Sequence, residues 1–176
     1  MANWMTRVAS AAMISVIGMG VGSAGLAQDS TNRVATMTDW SVFAEKDPKE
    51  CWGVSSPKET LNTKDGQPVS VRRGDILLFV TFRQGSAGEI SFSGGYPFAG
   101  GSTVNLKVDG AGYELFTDGE WAWSGSAADD AAILTSLKKG ATAVLTARSA
   151  KGTQTQDTFS LRGFTAAMEE AAKQCG

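Results

Sequence analysis

Residues 103–123 read TVNLKVDGAGYELFTDGEWAW. Val104, Leu106 and Val108 alternate with Thr103, Asn105 and Lys107, which gives a strand with one apolar face. Asp109-Gly110 and Asp118-Gly119 are dipeptides that tolerate the positive φ of tight hairpin turns. They divide the stretch into strands at 103–108, 113–117 and 120–123. Three short strands joined by tight turns describe an antiparallel meander.

The β pattern extends upstream. Ile76-Leu77-Leu78-Phe79-Val80-Thr81-Phe82 is apolar on both faces at its start, which predicts a central strand. Glu89–Ser93 alternates after a glycine-bearing loop. Trp40, Val42 and Ala44 alternate with Ser41 and Phe43, and Lys46-Asp47-Pro48-Lys49 turns the chain into a strand at 51–55. A further strand at 61–71 is broken at Asp65-Gly66. Downstream, Ser126 caps a predicted helix over 127–139. Asp129 and Asp130 lie in its first turn, Lys138 and Lys139 in its last, and Gly140 ends it. Strands follow at 142–148 and 154–161, then a helix over 165–173. The expected fold is mainly β: an antiparallel β-sandwich or flattened barrel with two short helices, closed by one disulfide.

The ends set the compartment. Residues 1–27 have the parts of a secretory signal peptide: Arg7, an apolar run from Val8 to Val21, and small residues at Gly25 and Ala27. Cleavage is expected after Ala27. Residues 28–38 are polar and are expected to be flexible, and the β domain spans 39–176. Without Arg7 the chain carries 15 basic and 18 acidic residues, a net charge of −3, which argues against nucleic acid as a partner. No later stretch is apolar for long enough to span a bilayer after signal cleavage. Cys51 and Cys175 are the only cysteines. In an oxidising compartment they are expected to pair. Phe164, Met168, Ala171 and Cys175 share one helical stripe, which turns Cys175 towards the sheet. A bridge closing so long a loop removes roughly 4–5 kcal/mol of unfolded-chain entropy.

Catalytic options are few. The sequence has no histidine, which removes Ser-His and Cys-His nucleophilic systems and histidine-bearing zinc sites. Neither a metal nor a cofactor is expected. Glu114, Asp118 and Glu120 cluster on one hairpin and could form a glycosidase-like acid pair, although a polar strand face beside a turn explains them as well. Gly94–Gly101 has strands on both sides, so it lacks the helix that a phosphate loop needs. Tyr96 and Phe98 within it either plug the end of the fold or present an aromatic surface. Trp121 and Trp123 are two apart and share a face, core or platform. The candidate binding surface is therefore Tyr96, Phe98, Trp121 and Trp123. Arg73-Gly74-Asp75 spells an adhesion tripeptide but precedes the most apolar strand, where an ordinary turn suffices.

Asp39-Trp40-Ser41-Val42, then Pro48-Lys49-Glu50-Cys51-Trp52, resembles the start of the invasion-associated locus B family of α-proteobacterial exported proteins. Thr158–Ala167 followed by Cys175 resembles its end, and Gly140-Ala141 with Val144-Leu145 is similar to its middle. The resemblance implies an exported β-sandwich protein, periplasmic or else secreted or outer-membrane-associated, of a family with no known catalytic residues. The expected function is non-enzymatic binding of an envelope protein or glycan. The alternatives are a surface or secreted factor engaging host cells and a carboxylate-based glycan-active enzyme.

Overall fold

The computed structural model describes residues 32–176, so the expected signal segment and residues 28–31 lie outside the described residues. The elements are β1 (Arg33–Met37), β2 (Trp40–Lys46), β3 (Lys49–Ser55), β4 (Glu59–Lys64), β5 (Gln67–Pro68), β6 (Leu77–Arg83) and β7 (Glu89–Ser93). They continue with β8 (Thr103–Val108), β9 (Ala111–Asp118), β10 (Trp121–Trp123), α1 (Ala127–Lys139), β11 (Thr142–Arg148), β12 (Gln154–Ser160) and α2 (Phe164–Cys175).

The strands form one 12-stranded sheet in the order β1-β2-β3-β6-β7-β10-β9-β8-β11-β12-β4-β5, antiparallel throughout the described pairings. The predicted meander is present as β8-β9-β10. Asp109 and Gly110 turn it with φ of 44° and 98°, and Asp109 Oδ2 also accepts from the Ala141 amide at 3.0 Å. Ser126 caps α1, accepting from the Asp129 amide at 3.2 Å.

The sheet folds over on itself. Phe92 of β7 meets Phe159 of β12 edge-on at 6.2 Å, although β10, β9, β8 and β11 separate their strands in the sheet order. The two halves thus face each other as in a sandwich, around Leu78, Val80, Ile90, Phe92, Leu106 and Leu145. The sheet does not close into a barrel, which corrects the flattened-barrel alternative: β1 and β5 remain as its two edges. Residues 33–37 differ from the flexible segment expected there. They pair with β2 through Met37↔Trp40 and Thr36↔Ser41, because the turn at Thr38-Asp39 folds them back as a hairpin.

α2 lies against β2 and β3 on the inner side, burying Phe164, Ala167, Met168 and Ala171. Two glycines permit the approach. A Cβ on Gly53 would stand 2.1 Å from Met168 Cε, and one on Gly163 would stand 1.9 Å from the Met37 carbonyl oxygen. The Cys51–Cys175 disulfide, with Cα atoms 5.7 Å apart, fastens the last turn of α2 to β3, as expected.

Candidate functional site

Strand pairing decides what the outer face of the sheet presents. Side chains alternate along each strand, so a residue and its cross-strand partner share a face. Cys51, Gly53 and Ser55 of β3 point inward, and Glu50, Trp52 and Val54 outward. Register then sets Trp52 beside Thr81, Phe79 beside Ser91, and Ser91 beside Trp123. Trp121 stands beside Ser93 on the same face.

The result is a shallow outward trough of ≈ 350 Å³. Its walls are Trp52, Phe79, Trp121 and Trp123, and its floor holds the small hydroxyl residues Thr81 and Ser91. The rings form connected sets. Phe79 and Trp121 have centroids 5.6 Å apart, and Trp121 and Trp123 lie 6.3 Å apart with planes within 21°. Phe43 stacks on Trp52 at 5.6 Å on the neighbouring strand. Phe116, opposite Trp123, extends the stripe and is 58 % exposed; Trp121 is 39 % exposed. Trp52, Phe79 and Trp123 are half-buried beside these two exposed rings, and a cluster of exposed aromatics is a candidate contact site.

One end of the trough is charged. Arg83 Nη2 lies 2.6 Å from Glu50 Oε1, and its Nη1 donates to Glu89 Oε2 at 2.7 Å. A single guanidinium thus ties together two carboxylates.

The four aromatics expected to form one surface separate into two groups. Trp121 and Trp123 share the outer face. Phe98 is buried against Phe92 at 6.1 Å, and Tyr96 meets Phe98 edge-on at 5.1 Å, so both plug the end of the fold. Tyr96 Oη shares a hydrogen bond of 2.6 Å with Thr155 Oγ1, and burial pushes its hydroxyl pKa up. Arg73 lies over the Tyr96 ring, 4.9 Å from its centroid.

Arg73 is also withdrawn from any adhesion role. It grips Asp157 through Nη1–Oδ1 at 2.7 Å and Nη2–Oδ2 at 2.6 Å, and donates through Nε to the Gly94 carbonyl at 3.0 Å. Burial pushes the Asp157 carboxyl above its ordinary value, and the guanidinium opposes that shift. A second cavity of ≈ 480 Å³ opens beside Tyr96 and Arg73. Arg72, Glu120 and Lys151 also line it. Glu114, Asp118 and Glu120 are exposed, and none of them lines the trough.

Phe43, Trp52, Phe79, Glu50, Arg83 and Glu89 were not singled out from the sequence. The signal was present in part: Trp52 lies beside Cys51, and a strand with an inward cysteine must turn its neighbour outward.

The family model described as "Invasion associated locus B (IalB) protein" matches residues 40–172. Among solved structures, the chain is similar to the crystal structure of invasion associated protein b from Bartonella henselae. The TM-score is 0.57 at 16 % identity, covering 79 % of this chain and 95 % of that one. That likeness is one of fold. Comparison with curated proteins finds no match.

Proposed function

The chain belongs to the invasion associated locus B family, and on that premise we propose that it is an exported, non-enzymatic binding module that engages an envelope component through its outer aromatic trough. The carrying observation is the exposed aromatic stripe, with Trp121 and Phe116 open to solvent on the face away from the core. Aromatics contribute to interfaces out of proportion to their number. The disulfide supports export, because such bonds persist in oxidising compartments. With no histidine in the sequence and both cysteines bonded, the usual nucleophilic systems lack their parts. Among the described residues no helix is long and apolar enough to cross a membrane. Periplasmic residence is the working localisation.

The test pairs fractionation with a pull-down from envelope extract, using the oxidised protein and its Trp121→Ala variant. The expected result is periplasmic recovery and a partner that the variant loses while its melting temperature holds. If Trp121→Ala unfolds the domain, the residue belongs to the core and the surface reading fails. Surface display in place of periplasmic retention would favour the host-engaging factor. Cleavage of cell-wall glycan, abolished by Glu114→Gln or Glu120→Gln, would favour the enzyme.

A further inference from the structure

We propose that the trough receives a pyranose ring of an uncharged glycan, packed against the Trp121–Trp123 pair with its hydroxyl rim towards Glu50, Arg83 and Glu89. The inference rests on the reading of this face as the working surface and assigns its ligand class.

Shape and polarity point to the ligand. The walls are flat rings and the floor is small and hydroxylated, so the site suits a ligand that is flat and apolar on its faces and polar around its edge. A pyranose has that form. Its C–H faces carry partial positive charge and match the negative faces of indole rings. Its hydroxyls both donate and accept. Arg83 supplies donors at the charged end. The carboxylates supply acceptors, since each presents a second oxygen besides the one nearest the guanidinium. The ion pairs hold these groups in place before a ligand arrives, which reduces the ordering cost of binding.

Charge narrows the ligand class. Two carboxylates against one guanidinium leave the charged end with one net negative charge. An anionic sugar would bring like charges together, and such juxtaposition is strongly unfavourable. The Arg83 and Glu89 side chains at this end are 47 % and 40 % exposed. A sugar ring leaves these groups partly hydrated while covering the aromatics.

The experiment titrates the oxidised protein with cellohexaose and with the hexamer of N-acetylglucosamine. Tryptophan fluorescence and calorimetry report binding, and hexagalacturonate serves as the anionic counterpart. At least one neutral hexamer is expected to bind. Trp121→Ala should weaken that binding about tenfold or more, and hexagalacturonate should bind at least about tenfold more weakly than the neutral sugar. Glu89→Gln, a change at an exposed side chain, should narrow that gap. The proposal is overturned if neither neutral hexamer binds at millimolar concentration, if hexagalacturonate binds as tightly, or if Trp121→Ala and Glu89→Gln both leave binding unchanged. The broader reading is separable. If the hexamers fail but Trp121→Ala still loses a protein from envelope extract, the glycan assignment falls and the binding face stands. If the variant loses nothing in either assay, both fall.

Discussion

Arg73, on the connection between β5 and β6, and Asp157, on β12, form a buried two-pronged ion pair across 84 residues of sequence. The pair ties the irregular β5–β6 connection to β12, and the Gly94 carbonyl and the Tyr96 ring complete its surroundings. Taking two charges out of water is costly, and good geometry repays it only when both partners are present.

Removing one partner should therefore be worse than removing both. Arg73→Ala leaves an uncompensated buried carboxylate and should cost about 3–5 kcal/mol. The paired change Arg73→Met with Asp157→Leu should recover much of that loss. Urea melts of the two variants check it; the pair is energetically idle if Arg73→Ala melts with the parent protein.

The Cys51–Cys175 bond spans 124 residues and fastens a helix whose buried face rests on β2 and β3. Cys175→Ala should cost about 2–5 kcal/mol. The loss should be local as well as global, because the last turn of α2 also loses its anchor. Hydrogen exchange should show the amides of 171–175 opening first. Uniform loss of protection along the chain would contradict the local part.

Much of this fold was legible because its signals are local. Alternation and Asp-Gly turns mark β8 to β10, and a serine cap with flanking charges and a glycine stop marks α1 at the expected bounds. The helical phase of Cys175 marks the disulfide. What was not legible is non-local. In β6, Leu78, Val80 and Phe82 go inward while Leu77 and Phe79 go outward, yet both sets are apolar, so alternation alone does not assign the faces. Only the pairing of β6 with β3 and β7 sets Phe79, Trp52 and Trp123 on one surface. The same holds for Arg73 and Asp157, whose meeting depends on how the sheet folds over. The plug formed by Tyr96 and Phe98 depends on where the open end of that sandwich falls.

Gly163 and Gly85 form a matched pair of tests. Both have positive φ, 86° and 84°. A Cβ on Gly85 would meet nothing within 4 Å, whereas one on Gly163 would press on the Met37 backbone. Gly85→Ala isolates the conformational penalty, about 1 kcal/mol. Gly163→Ala adds a backbone clash at the entrance to α2 and should cost several-fold more. Equal melting temperatures for the two variants would show that the contact between β1 and α2 gives way freely.

Asp39 gives the pH test, and its sign is fixed by its partners. The Lys58 ammonium, 2.6 Å from Oδ1, lowers its carboxyl below the ordinary value of 3.8, and a hydrogen bond with Ser160 adds to the effect. A carboxylate lowered in the folded state contributes stability that is present above the unfolded-state value. That contribution is lost as pH falls through the lower folded-state value. Asp157 is displaced the other way by burial, so its contribution is present below 3.8 and is lost as pH rises through its higher folded-state value. Carbon-13 NMR titration of the aspartate carboxyls should therefore show Asp39 titrating below 3.8 and Asp157 above it. Lys58→Ala should return Asp39 towards 3.8 and leave Asp157 where it was, because the two carboxylates have different cationic partners. Asp39 titrating at 3.8 in the parent protein would mean that the ion pair with Lys58 is not populated in solution, and the acid limb of the stability curve would then owe nothing to it.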